Sequence, residues 1–454
     1  MPQENCLLRT DFMGKYFGTD GFRGEAGRTL TAEHGFRMGQ VLGHYYRESG
    51  KRPRAVIGKD TRRSSYMLEY AVAAGLSSVG ADAHILHVTT TPSVAYVTRT
   101  DGFDLGIMIS ASHNPFCDNG IKVMDSEGEK LSDAVIEELE ALMDGGDIPP
   151  AVGEEVGRIV DHYSGRNRYV GYLISVAQHS FRTLKIGLDC ANGAAFNIAR
   201  SVFEALGAEV HAIGCEPNGT NINDGVGSTH IEALSTLVRE RGLDVGFAFD
   251  GDADRCIAVD ERGEVVNGDH IMYILAVGMK AAGELYQNTA VTTVMSNLGL
   301  YRAFDAAGIS YTQTAVGDRY VYECMKEMGY TLGGEQSGHV IISKYATTGD
   351  GILTAIRLTE AMLSAGKPLS KLAAPVVMLP QTTVSIRVKD KSVINADIVA
   401  KRAAEIRAEL GDSGRLLLRA SGTEPVVRVM IEAETEELAS TLANSLADVI
   451  KTVK

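Results

Sequence analysis

Three times along this chain an apolar run breaks into a short loop of small and polar residues and then into helical periodicity. The runs are 55–58, entering Lys59-Asp60-Thr61-Arg62; 185–189, entering Cys190-Ala191-Asn192-Gly193; and 291–295, entering Ser296-Asn297. After the first, Tyr66, Leu68, Val72, Leu76 and Val79 mark a helix with an apolar face. Roughly forty to sixty residues beyond each first strand a second apolar run ends in a conspicuous loop, a spacing that predicts βαβ crossovers. Those loops are 110–115, 250–255 and 333–339. The chain thus reads as α/β, with three related mixed α/β domains, each presenting a different loop to a shared central cleft. From about Pro380 the pattern changes to a strand at 382–388, a helix at 396–410, two strands and a last helix. Leu438, Leu442, Leu446 and Ile450 give that helix an apolar stripe at i, i+4. The expected organisation is a disordered extension at 1–14, α/β domains at 15–164, 165–265 and 266–376, and an α+β domain at 377–454.

Composition narrows the partners. The balance of 44 Lys+Arg against 58 Asp+Glu, net −14, speaks against nucleic acid and anionic membranes. Phosphorylated ligands remain open, because local arginines and backbone N–H groups can hold them. Cys6, Cys117, Cys190, Cys215, Cys256 and Cys324 form no CxxC pair, so neither a zinc site nor a disulfide framework is expected. No apolar run approaches membrane-spanning length and the N-terminus lacks a signal-peptide core. The expectation is a cytoplasmic protein with reduced thiols.

Strand ends in α/β proteins open into the crevice where ligands bind, which directs attention to Ser110-Ala111-Ser112-His113-Asn114-Pro115. Ser112 is a nucleophile candidate beside an imidazole, although a plain polar turn explains the same residues equally well. Asp250, Asp252 and Asp254 alternate in a second loop and form a hard-oxygen site suited to Mg²⁺. With Glu261 they also mimic a calcium loop. That reading fails because Arg255 stands where the sharp turn demands Gly and the flanks read as strands. Arg419, Ser421, Gly422, Thr423 and Arg428 combine small residues, hydroxyls and guanidinium forks, as phosphate binding requires, or form a tight turn with surface arginines. Glu335, Gln336 and Ser337 in a Gly frame suit sugar hydroxyls, and Arg23 among glycines faces an anion or caps a turn. The loops at 316–319 and 347–351 read as structural. Neither GxxxxGK[ST] nor a strand-linked GxGxxG occurs, so nucleotide readings have no support.

Taken in order, KYFGTDGFRG, ISASHNPFCDNGIK, FDGDADR, GGEQSGH and RASGTEPVVR resemble the signatures of the α-D-phosphohexomutase family, from about Lys15 to the C-terminus. GEQSGH, SGTEP and the KYFGTDG opening are most similar to its branch acting on glucosamine phosphates; branches acting on phosphomannose or phosphoglucose tend to carry another residue after the loop glutamate. Ala253 departs from the family's usual Gly and restricts φ in the metal loop.

The resemblance implies a Mg²⁺-dependent isomerase in which phosphoserine at Ser112 donates to glucosamine 6-phosphate. Glucosamine 1,6-bisphosphate is then the intermediate and activator, and glucosamine 1-phosphate the product. It implies that Ser112, Asp250, Asp252 and Asp254 hold the metal and that Arg255 binds the transferring group. Lys122 and Arg23 rank above His113 and His339 for proton transfer. Glu335 and Ser337, with His339, read the sugar, while Arg419, Ser421, Gly422, Thr423 and Arg428 grip the non-reacting phosphate. A homodimer is also implied. The rivals are a family member with other hexose specificity and a sugar-phosphate-binding protein without turnover.

Overall fold

The structure is a computed structural model that describes residues 14–18, 20–47, 51–420 and 425–453. Its first sheet contains β1 (Phe22–Glu25), β2 (Arg54–Lys59), β3 (Asp82–Val88), β4 (Leu105–Ile109), β5 (Asp118–Met124) and β6 (Ile159–Asp161) in the order β1-β5-β4-β2-β3-β6. The second contains β7 (Lys185–Asp189), β8 (Glu209–Ile213), β9 (Val245–Phe249), β10 (Cys256–Val259) and β11 (Val265–Val266), ordered β11-β10-β9-β7-β8. The third contains β12 (Thr289–Thr293), β13 (Ser310–Thr314), β14 (Leu332–Gly334) and β15 (Val340–Ile342), ordered β13-β12-β14-β15.

One plan runs through all three. The strands β2, β7 and β12 are central, each flanked by two parallel neighbours, and a fourth strand returns antiparallel along the third. The third strands β4 (LGIMI) and β9 (VGFAF) are buried at every residue, as strands covered on both faces must be. The triplicate α/β reading of the sequence is therefore the observed architecture. In addition, the three conspicuous loops occupy one topological place, the turn from third to fourth strand.

The helix Arg63–Ser78 buries Leu68, Val72 and Leu76 as expected, but Tyr66 is 47% exposed. Two residues before Leu68 is about 200° around a helix, so Tyr66 points away from that face. Its ring instead carries the buried Lys59 ammonium, 4.4 Å from the centroid.

By packing, the chain divides into two compact units: one runs up to Met295 and adds Ile309–Ala374, and the other joins Ser296–Gly308 to the chain from Pro375 onward. The second unit holds the antiparallel sheet β16 (Gln381–Arg387), β17 (Arg415–Ala420) and β18 (Val426–Glu432), ordered β16-β18-β17. The helices Asp397–Leu410 and Glu436–Thr452 bury Val399, Ile406, Leu442, Leu446 and Ile450 against Val427 and Val429, with Leu438 at the margin. The helix Leu298–Ala307 follows β12 in the chain yet belongs here: the Leu298 N–H donates to Glu432 Oε2 at 2.9 Å, and Arg415 donates to the Ser296 carbonyl at 2.7 Å. Among the described residues no helix is long and apolar enough to cross a membrane.

Candidate active site

Ser112 stands just past β4 with φ +52°, a left-handed conformation that costs a residue with a Cβ about 1–2 kcal/mol. The surroundings enforce it. Its N–H donates to Ser110 Oγ at 3.0 Å, and Ser110 Oγ donates to Asp60 Oδ2 at 2.7 Å. Ser110, no nucleophile, is a brace. Arg62 donates to the carbonyls of Ser112 and Asn114, both at 2.9 Å, and Asn223 Nδ2 donates to the same two at 2.9 and 3.0 Å. Arg62 is wholly buried, yet its donors also reach Asp60, Pro115 and Asp118, so the charge is satisfied. Sequence reasoning singled out neither clamp residue. Arg62 had a faint signal, its place in the loop after a first strand; Asn223 lies in a loop that offered none.

The Ser112 hydroxyl is itself buried and donates to Asp250 Oδ2 at 2.5 Å, with His113 Nδ1 at 3.3 Å. Asp250, Asp252 and Asp254 come from the β9–β10 turn, and their ligand oxygens lie within 4.8 Å of one another. Ala253 curls that turn with φ +56°, so the one residue that departs from the resemblance occupies a left-handed position. Thr91 Oγ1 and Lys122 Nζ donate to Asp252 Oδ2 at 2.5 and 2.8 Å, and Lys122 reaches Asp254 Oδ2 at 3.3 Å. The other oxygens, Asp252 Oδ1 and Asp254 Oδ1, are buried without a hydrogen-bond partner among the described residues. Burial, then Asp254 and Asp252, push the Asp250 carboxyl well above the usual carboxylate range. Two orphaned carboxylate oxygens beside a strained third carboxyl fit a hard divalent cation.

A chain of alternating charges extends from this cluster. Lys122 also contacts Asp20 at 3.0 Å; Asp20 pairs with Arg23 and with Lys130 at 2.7 Å; Lys130 pairs with Asp318 at 2.7 Å. Burial alone would lower the Lys122 pKa, but Asp20, Asp252 and Asp254 hold it well above its ordinary value. Lys122, ranked with Arg23 for proton transfer, is thus held as an ammonium, the form that donates. Asp254 and Asp20 stay well below the carboxylate range despite burial, because Lys122 and other nearby cations face each of them.

The two histidines are shifted in opposite directions. His113 is lowered to about 4 by burial, then by Arg255, whose Nη1 lies 3.3 Å from Nδ1. His339 would be lowered by burial, but Asp318 and Asp254 raise it to about 9. Its Nε2 faces the Gly349 N–H at 3.0 Å, which needs a bare nitrogen, and Asp318 at 3.3 Å, which needs a proton there; the flanking carboxylates decide for the protonated ring. Asp318, in the 316–319 loop read as structural, thus joins this charge network. Asp20, also missed, lay in plain view in the GTDGFRG motif.

Arg255 donates its backbone N–H to Asp250 Oδ1 at 3.2 Å and keeps its guanidinium charged beside Asp254. Glu335 accepts the Gly317 N–H at 3.2 Å, and burial followed by Asp318 raises its pKa. Ser337 is exposed at the tip of its turn. In the second unit Arg419 and Arg428 are direct partners across β17 and β18. Ser421, Gly422 and Thr423, expected beside them, lie outside the described residues.

Four sequence profiles of one family match in chain order: phosphoglucomutase/phosphomannomutase α/β/α domain I at residues 14–148, domain II at 167–263, domain III at 267–378 and the C-terminal domain at 384–449. The chain belongs to this phosphoglucomutase/phosphomannomutase family. Among its relatives, the phosphoglucosamine mutase of Lachnospira eligens is 59% identical over 97% of this chain and 99% of that protein. The phosphoglucosamine mutase of Lachnoclostridium phytofermentans is 54% identical over 97% and 98%. In fold, the chain is similar to a phosphoglucomutase/phosphomannomutase family protein of Burkholderia thailandensis, with a TM-score of 0.79 at 23% identity over 95% of this chain and 96% of that one. As a phosphoglucomutase/phosphomannomutase member the chain is a phosphohexomutase, and its buried Asp triad fits the metal dependence of such enzymes.

Proposed function

We propose that this chain interconverts glucosamine 6-phosphate and glucosamine 1-phosphate through a phosphoserine at Ser112. The observation that carries the proposal is the buried Ser112 hydroxyl, 2.5 Å from Asp250, in a triad whose two other members each keep an orphaned oxygen. The amino-sugar choice is supported by relatives at 54–59% identity, all named phosphoglucosamine mutase.

Phosphoserine gives its phosphoryl to the O1 hydroxyl of glucosamine 6-phosphate: the O1–P bond forms, the Oγ–P bond breaks, and the proton lost from O1 is balanced by the proton gained at Ser112 Oγ. The resulting 1,6-bisphosphate turns over, and its 6-phosphoryl returns to Ser112, releasing glucosamine 1-phosphate. Asp250, Asp252 and Asp254, with an oxygen of the phosphoserine, would hold Mg²⁺, which neutralises charge on the transferring group. Arg255 offers a second cation to that group. His113, neutral and 3.3 Å from Oγ, is placed to move the proton at Ser112. Lys122, held as an ammonium and tied through Asp20 to Arg23, supplies positive charge and a proton at the sugar oxygen. Glu335 and Ser337 orient sugar hydroxyls, and Arg419 with Arg428 anchors the phosphate that does not react.

Incubation with glucosamine 1,6-bisphosphate followed by intact mass should show a phosphoryl-sized gain, mapped to Ser112. Ser112→Ala should keep the fold, lose the gain and lose nearly all turnover; a mutase equally active without Ser112 refutes the mechanism. A higher kcat/KM for mannose or glucose phosphates would overturn the choice of sugar.

A further inference from the structure

The sequence scatters its cysteines, but the fold brings two together. The strands β7 and β8 are parallel neighbours in which Asp189 pairs with Ile213, so Cys190, one residue past β7, and Cys215, two residues past β8, leave adjacent strand ends. The Ile213 carbonyl accepts both the Cys190 N–H at 3.1 Å and the Cys215 thiol at 3.3 Å, so the two cysteines meet at one acceptor. Cys190 is buried while Cys215 is partly open to solvent. Among the described residues the Asp triad is the only cluster of three metal-ligating side chains, so this dithiol is not part of a metal site.

We infer that Cys190 and Cys215 are a modification site, closing into a reversible disulfide under peroxide and thereby displacing the clamp on Ser112. The Cys215 sulfur attacks hydrogen peroxide, the O–O bond breaks, and a sulfenic acid and water result. The Cys190 sulfur then displaces water from that sulfenic acid and forms the S–S bond. In balance, two thiols and one peroxide give a disulfide and two waters. The hydrogen bond from Cys190 lowers the Cys215 pKa, which favours the solvent-facing thiol as first attacker.

Displacement has a short path to the Ser112 loop. Cys190 opens a turn whose next residues, Ala191 and Asn192, hold left-handed φ of +55° and +50°. The Ala191 carbonyl accepts the Asn223 N–H at 2.9 Å, and the Asn192 carbonyl accepts the Thr61 hydroxyl at 2.6 Å. Asn223 in turn grips the Ser112 and Asn114 carbonyls. Closing the bond brings the two sulfurs to about 2 Å, and the turn must follow. A misplacement near 1 Å can cost about 10²-fold in rate, so oxidation should lower kcat about 10- to 100-fold with little change in KM. That consequence rests on Ser112 as the phosphoryl carrier; formation of the bond does not.

The test uses the full chain, reduced, freed of reductant, pulsed with hydrogen peroxide and alkylated. Trypsin separates the two cysteines into peptides 186–200 and 201–239, so a link between them is directly readable by mass. Expected are that linked pair, the fall in kcat, and recovery of both with dithiothreitol. The Cys215→Ser variant should be as active as wild type when reduced and should resist the same pulse, which separates this site from the exposed Cys117 beside the Ser112 loop. Sulfinic acid at Cys215 with Cys190 still alkylated, a linked enzyme of full activity, or equal inactivation of Cys215→Ser would each overturn the inference. A reduced enzyme without mutase activity would instead overturn the proposed function, leaving the linked peptides to report on the dithiol.

Discussion

A single methyl group at Gly251 tests how the site is assembled. A Cβ placed there would lie 2.4 Å from the Ser112 carbonyl oxygen, 2.9 Å from Ile222 Cδ1 and 3.2 Å from Asn223 Nδ2. Gly251 has no left-handed φ, so Gly251→Ala adds the contact without adding backbone strain. An ordinary contact begins near 3.4 Å, so about 1 Å must open between the serine loop and the metal loop. The Ser112 carbonyl cannot yield alone, because Arg62 and Asn223 both hold it, so the metal loop must retreat. Asp250 would then leave hydrogen-bond reach of the Ser112 hydroxyl, now 2.5 Å away. Overpacking of this kind costs about 1–3 kcal/mol in stability. The misplacement should lower kcat about 10²-fold, or about 2.7 kcal/mol of barrier. The assay is steady-state mutase turnover beside phosphoryl uptake from the bisphosphate by intact mass. Gly278→Ala, on an exposed helical turn with open space around its Cβ, is the control; it should retain turnover and gain about 0.5–1 kcal/mol. A Gly251→Ala enzyme with wild-type kcat and normal phosphoryl uptake would refute the interlocking of the two loops.

Asn223→Ala should cost about 1–3 kcal/mol by denaturant unfolding and lower kcat more than it raises KM, since it releases two carbonyls of the serine loop and touches no substrate; unchanged kcat would show that Arg62 alone suffices. Chelation should abolish turnover and Mg²⁺ restore it, with Mg²⁺ at 100-fold its Kd adding about 2.7 kcal/mol to stability in wild type but not in Asp252→Ala, read as a thermal shift. His84, with both ring nitrogens buried and unpartnered among the described residues, is lowered to about 4 by burial and then by Arg54. It is neutral in both states at pH 7, but below about 6.5 the unfolded chain takes up a proton that the folded ring refuses, so stability is lost as pH falls from about 6.5 to 4. His84→Phe should therefore gain on wild type in Tm between pH 7.5 and pH 5, and a constant gap between the two would sink this account.

What could be read from the residues was what repeats locally. An apolar run followed by a small-residue loop is a short-range pattern, so the triplicate plan and the loops bearing Ser112, the three Asp and Glu335 were all visible. Ala253 was visible too, as the wrong residue for its place, and its φ of +56° shows why that place matters. The clamp was not. Arg62 reads as one more polar loop residue until the fold brings carbonyls from Ser112 to Asp118 around it. Asn223 grips carbonyls, and Asp318 pairs with a lysine, more than a hundred positions away. The same limit hid the Cys190–Cys215 pair, whose proximity follows from the register of two parallel strands.

The shared position of the three loops explains how such different chemistry can be assembled on one plan. A third strand that runs parallel to its neighbour ends at the edge of the sheet where ligands bind, and a fourth strand returning antiparallel anchors the far side of the turn. Each turn is thus held at both ends by strand register, and its sequence is free to become a nucleophile, a set of carboxylates or a sugar-reading loop. The turns also meet through backbone. The Cys256 N–H donates to the Gly338 carbonyl at 3.0 Å, the Gly351 N–H to the Ala253 carbonyl at 3.0 Å, and Gly193 and Gly251 approach so closely that a Cβ at Gly193 would lie 2.5 Å from the Gly251 oxygen. Contacts of that kind leave no slack. A site built from them should tolerate exchange of its exposed side chains better than the addition of one methyl group where two turns meet.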